Sequence, residues 1–131
     1  MIGLLSLLGC AGERPTSLGA SDGQLGTCPD SPNCVSSFES RDSHQIAPIR
    51  TNLASIRQAL TSLPEAEIIS NQAPYIYAEF TSRLMGYVDD VEFLEDATTG
   101  LVHVRSASRL GHSDLGANRK RIEAIREMVE P

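Results

Sequence analysis

Four strand-like segments occupy residues 66–70, 75–82, 87–95 and 101–108, and the links between them are too short for the chain to cross over. This run constrains the fold more than any other feature. The segments are rich in β-branched and aromatic residues, and turn formers stand between them: Asn71-Gln72-Ala73-Pro74, Met85-Gly86 and Asp96-Ala97-Thr98-Thr99-Gly100. Parallel neighbours need a connection of a dozen or more residues, so consecutive segments are expected to pair antiparallel, as a meander. Helical periodicity flanks the run. In residues 52–63, Leu53, Ile56, Leu60 and Leu63 share one face, Thr51 or Asn52 can cap, and Pro64 stops the helix. In residues 115–130, Leu115, Ile122, Ile125 and Val129 share a face, with Ser113 or Asp114 where an N-cap belongs. Residues 45–48 can add an edge strand. The order (β)-α-β-β-β-β-α predicts an α+β fold of two layers, an antiparallel meander of about four strands with two helices packed on one face.

Strand alternation assigns the two faces of the sheet. Ile76, Ala78 and Phe80 fall on one side, with Tyr75, Tyr77, Glu79 and Thr81 on the other. In the next strand Tyr87, Val91 and Phe93 form the apolar side and carry Asp89 with them, while Asp90 and Glu92 face away. Val102 and Val104 look inward, His103 and Arg105 outward. A face of tyrosines, carboxylates, one histidine and one arginine reads either as a ligand platform or as a solvated surface with cross-strand charge pairs.

The 131 residues allow one domain, and the net charge of −6 argues against nucleic acid as a partner, because phosphate neutralisation needs a basic face. That charge is unevenly spread: residues 1–100 hold 13 acids against 5 bases, and residues 101–131 hold 6 bases against 4 acids. No run approaches the roughly 20 apolar residues of a membrane-spanning helix. The uncharged start, MIGLLSLLGCAG, contains Leu7-Leu8-Gly9-Cys10, which resembles the lipobox of bacterial lipoproteins. The resemblance implies that residues 1–9 are a signal peptide, here without its basic n-region. It also implies that Cys10 carries a lipid and that the chain sits in the cell envelope facing the periplasm. Ala11 in place of the aspartate that retains lipoproteins at the inner membrane favours the outer membrane. Residues 13–27, rich in Gly, Ser, Thr and Pro, read with Cys10 as a flexible tether spanning 10–27, ahead of a domain at 28–131. Cys28 and Cys34 bracket Pro29-Asp30-Ser31-Pro32-Asn33, a pre-bent loop that an oxidising compartment would close as a disulfide. Free thiols, a metal site or a catalytic pair are the alternatives. His44 gives no zinc spacing with these cysteines, and neither metal nor cofactor is expected.

Three segments together are distinctive: Cys28-Pro29-x-Ser31-Pro32-Asn33-Cys34-Val35-Ser36-Ser37, then 86–93 (GYVDDVEF), then 105–122 (RSASRLGHSDLGANRKRI). This combination resembles the domain-of-unknown-function family 1499, found in bacterial secreted or lipoprotein-like proteins and in photosynthetic eukaryotes. The resemblance runs from about Cys28 to the C-terminus and implies no activity. The closing segment places Arg105, Arg109, Arg119, Lys120 and Arg121 around one turn against Asp114 alone, and it leads into a helix N-terminus. Arginine suits bidentate grips on carboxylate or phosphate. One reading is therefore an anion site, with Arg105, Arg109 and Arg119 as clamps and Ser106, Ser108, Asn118 and the backbone near Asp114 as donors. Asp89, Asp90 and Glu92 would support it, and the partner would be an anionic small molecule or an envelope protein. The competing reading pairs Arg105 and Arg109 with those same carboxylates and makes Asn118 a buried hydrogen-bonding post. A third reading is a small hydrolase or transferase using Asp89 or Asp90 with His103. No H-E-x-x-H, nucleophile elbow or Ser-His-Asp order accompanies those groups.

Overall fold

The computed structural model describes residues 12–131, and in it each of the four long segments pairs antiparallel with the next. The strands are β1 (Cys34–Ser36), β2 (Ile49–Arg50), β3 (Ala66–Gln72), β4 (Tyr75–Thr81), β5 (Val88–Asp96) and β6 (Leu101–Ser108). The helices are α1 (Leu53–Thr61), between β2 and β3, and α2 (Ala117–Val129), after β6. The sheet runs β1-β6-β5-β4-β3, and β2 pairs with the other end of β6. The fold is the α+β arrangement that short links and helical periodicity predict. The expected edge strand at 45–48 is displaced: the pairing residues are Ile49 and Arg50, and Gln45 makes only an isolated bridge to Ser36.

Side-chain alternation drives the packing. Ile76, Ala78, Phe80, Val91, Phe93, Val102 and Val104 are all buried, on the face covered by Leu53, Ile56 and Leu60 of α1 and Ile122 and Ile125 of α2. Each such large side chain contributes about 1.5–3 kcal/mol relative to exposure. Asn52 caps α1 by accepting from the Ser55 amide at 2.9 Å. Two expectations about the apolar face fail. Tyr87 precedes β5 and is exposed. Leu115 stands in left-handed backbone, φ +53°, two residues before α2, and is 87 % exposed. Positive φ at Gly111, Leu115 and Gly116 delays the helix, so the apolar period begins at Ile122. No helix of the described residues is long and apolar enough to cross a membrane.

The second face of the sheet is not open to water. Residues 12–27, whose composition reads as a tether, lie across it. Gly19 N donates to Glu92 at 2.7 Å, Arg14 pairs with Glu79 at 2.6 Å, Thr27 O accepts from Arg105, and Leu25 is buried. Residues 1–9 and Cys10, read as signal peptide and lipid anchor, fall outside the described residues.

Candidate functional site

The register of β4, β5 and β6 collects charge under the 12–27 segment. Glu79 lies opposite Asp90, and Glu92 lies between Tyr77 and Arg105. Two carboxylates directly across a strand pair repel unless a cation joins them. Arg109, just beyond β6, does so, with Nη2 2.7 Å from Asp90 and 2.8 Å from Glu79. The Tyr77 hydroxyl bridges the same two carboxylates, 2.6 Å from Asp90 and 2.8 Å from Glu79. Arg14 adds a second cation on Glu79. Arg105 lies 3.8 Å from Glu92, and the Tyr75 hydroxyl donates to Glu92 at 2.6 Å. Glu79, Asp90 and Glu92 thus face Arg14, Arg105 and Arg109, a balanced set whose Asp90 and Glu92 are each 1 % exposed.

Titration follows from this geometry. Burial would push the Glu79 carboxyl up, but hydrogen bonds from Arg14, Tyr77 and Arg109 outweigh it and hold the group at about 2. Burial, then hydrogen bonding to Asp90 and Glu79, raises Tyr77, which stays a protonated donor. Hydrogen bonding to Asp90 raises Arg109 against the opposing effect of burial.

Alternation sends Ser106 to the helix side of the sheet, away from Arg105. There Ser106 Oγ donates to Asn118 Oδ1 at 2.7 Å, and the Asn118 amide faces Ser108 Oγ at 2.9 Å, Asp114 at 2.8 Å and the Asn33 carbonyl at 3.2 Å. Asn118 is fully buried, as its reading as a hydrogen-bonding post requires. Asp114 accepts from the backbone amides of Gly116 and Asn118, so it serves the start of α2 although Gly116 holds the N-cap position. Asp89 also faces this side and pairs with Arg121 at 2.6 Å, whose guanidinium lies 4.8 Å above the Phe80 ring. Arg119 reaches the Ser43 carbonyl at 3.3 Å.

The seven proposed anion-contacting residues therefore do not converge. Arg105 and Arg109 belong to the outer network, the serines, Asp114 and Asn118 to the inner one, and Arg119 to the surface of α2. Nor do the hydrolase candidates meet. Asp89 and Asp90 point to opposite faces, and His103 lies four residues along β6 from Ala107, the register partner of Asp90, roughly 13 Å away at the usual strand rise. His103 instead stacks on Phe38 at 4.3 Å and meets Ser37 Oγ at 3.0 Å, and burial lowers its pKa. Sequence reasoning missed Arg14, since an arginine in a Gly- and Ser-rich stretch carries no periodic signal. It also left Glu39 and Arg41 unassigned. Cys28 and Cys34 form the disulfide, and Glu39 and Arg41 grip its loop through the Cys28 amide at 3.1 Å and carbonyl at 2.7 Å. The Arg41 hydrogen bond, then the Cys28 amide, hold Glu39 at about 2. His44 is buried against the Cys34 carbonyl at 3.0 Å. Among the described residues no group of three His, Cys, Asp or Glu side chains could hold a metal ion.

An open groove of about 1070 Å³ lies between α2 and the β3–β4 edge. Phe80, Ile125 and Met128 give it an apolar floor. Arg83, Lys120 and Arg121 line one side, and Glu65 and Glu67 lie on the β3 side. No curated protein and no solved structure matches the chain. A family model described as "protein of unknown function (DUF1499)" matches residues 24–129, which contain both polar networks except for the contacts made by residues 12–23. The disulfide loop, the paired Asp89-Asp90 and the Arg105–Arg121 strip all lie inside that match, and the chain belongs to the DUF1499 family.

Proposed function

We propose that the chain is a cell-envelope lipoprotein, anchored by a lipid on Cys10 and facing the periplasm from the outer membrane. Its domain is a binding module for an anionic amphiphile, a molecule with an apolar chain and a carboxylate or phosphate head. The groove carries this reading: an apolar floor of Phe80, Ile125 and Met128 beside a cationic lip. Arg105 and Arg109 are neutralised by the protein's own carboxylates, so anion contact passes from them to Lys120 and Arg83, which stay exposed. Glu65 across the mouth repels an anionic head from the β3 side and leaves the α2 side as its place, while Glu67 lies opposite Glu79 and faces away from the groove. The disulfide supports export, since such bonds persist in oxidising compartments.

Calorimetric titration with dodecyl phosphate and with a neutral dodecyl glycoside tests the groove. Dodecyl phosphate should bind more tightly, and Lys120→Glu should weaken it about tenfold, the equivalent of about 1.4 kcal/mol, while leaving the neutral probe unchanged. Equal affinity for the two probes, or indifference to Lys120→Glu, would refute the assignment. Mass analysis of Cys10, with and without globomycin, tests the anchor.

A further inference from the structure

Five of the six exposed large apolar side chains among the described residues gather in one place, Met128 of α2 being the exception. Leu84, Met85, Tyr87, Leu110 and Leu115 are between 47 % and 93 % exposed, and all five stand at one end of the sheet. Residues 82–87 join β4 to β5, and residues 109–116 join β6 to α2. Register places these connections side by side, for Asp89 opposes Ser108 and the Arg109 amide donates to Val88 O at 3.0 Å. Leu115 is held outward in left-handed backbone, which a residue with a β-carbon rarely adopts, and its exposure returns nothing to the domain.

The chain's N-terminal side arrives at this same end. Gly12 O accepts from Arg109 at 3.5 Å, and a β-carbon on Gly12 would meet Leu110 at 2.9 Å, so Gly12 lies directly against that leucine. Cys10 is two residues further on, a reach of at most about 7 Å. Exposed cations flank the tip. Arg83 lies within the 82–87 turn, and Lys120 Nζ is 3.5 Å from the Leu115 carbonyl. An apolar tip rimmed by basic residues is complementary to an anionic lipid surface, whereas two such tips brought face to face would set like charges against each other.

We propose that this tip docks in the interfacial layer of the bilayer, with Leu84, Met85, Tyr87, Leu110 and Leu115 among the headgroups and Arg83 and Lys120 on lipid phosphates. The anchor on Cys10 and the tip then form two points of attachment, and the domain stands on the membrane in one orientation. The inference rests on the anchored reading only for the proximity of Cys10, since the tip's chemistry is independent of it.

The chain has no tryptophan, so single-tryptophan reporters test it cleanly. Leu84→Trp places one at the tip, and Ala97→Trp places one in the β5–β6 turn at the opposite end. Both are prepared on the full acylated chain and again with Cys10→Ser. They are mixed with vesicles of phosphatidylethanolamine and phosphatidylglycerol carrying brominated acyl chains. The Leu84→Trp emission should shift to the blue and be roughly halved, as expected for a side chain about 5–10 Å into the headgroup boundary, while Ala97→Trp stays unchanged. Acylated protein that stays with the vesicles without quenching of Leu84→Trp overturns docking and leaves the anchor standing. Quenching in the Cys10→Ser chain, with no acylation found on the native protein, sustains docking and removes the anchor. A blue shift without vesicles, accompanied by dimers in sedimentation, assigns the tip to a second copy and overturns the inference.

Discussion

Replacing Arg109 with methionine distinguishes a cation kept for a ligand from one that holds the sheet together. The Arg109 side chain is 8 % exposed, and its guanidinium contacts Asp90 at 2.7 Å and Glu79 at 2.8 Å, side chains that are 2 % and 13 % exposed. Removing one partner of a buried pair typically costs about 3–5 kcal/mol, because the remaining charge is left without compensation. Glu79 keeps Arg14 at 2.6 Å and Asp90 keeps the Tyr77 hydroxyl, which puts Arg109→Met near the lower bound, about 3 kcal/mol. For a domain whose total stability is about 5–15 kcal/mol this is a large loss, equivalent to about 10 °C in melting temperature. Arg105→Met should cost less, about 1–2 kcal/mol, since Glu92 lies 3.8 Å away and retains Tyr75 and the Gly19 amide. Adding Asp90→Asn to Arg109→Met should recover about 2 kcal/mol, because the amide still accepts from Tyr77 and carries no charge. Urea unfolding followed by circular dichroism, with the slope checked for constancy, measures all three. A loss below about 1 kcal/mol for Arg109→Met, or no recovery in the double variant, would show that the buried pairing is not what Arg109 contributes.

Acid should unfold the outer network within a defined window. Glu79 drops from its ordinary 4.5 to about 2 on folding, so its contribution is complete above pH 4.5 and disappears as pH falls toward 2. Stability measured across that range should decline in the native chain, and Glu79→Gln should flatten part of the decline. Asn118→Ala should cost about 2–4 kcal/mol in the same unfolding assay, since it strands Ser106 Oγ and Asp114 and empties a fully buried site. A loss within about 0.5 kcal/mol, the range of ordinary surface substitutions, would contradict the role of Asn118 as a post.

The parts of this fold that were legible are those governed by local rules. Short links with turn chemistry force a meander, and the period of two puts Asp90 and Glu92 on one face and Asp89 on the other. β1 and β2, with three and two residues, are too short to show a period. Leu115 misleads because helical spacing cannot register two left-handed residues just before α2. The cationic strip misleads for a related reason. Counting arginines along the chain ignores that Arg105 and Ser106 point to opposite faces, so a cluster in sequence divides into two networks in space. The strap over the sheet is the hardest case. Gly-, Ser- and Pro-rich composition reports the freedom of an isolated chain and says nothing of partners offered 65 residues away, where Glu79 waits for Arg14. That contact also bears on where the folded unit ends. The family match begins at residue 24, yet without residues 12–23 Glu79 would lose Arg14, Glu92 would lose the Gly19 amide, and the buried Asp90 and Glu92 with the half-buried Glu79 would face two guanidiniums. Charge balance inside the sheet therefore places the working boundary of the domain ahead of the family boundary, at the residues that run back toward Cys10.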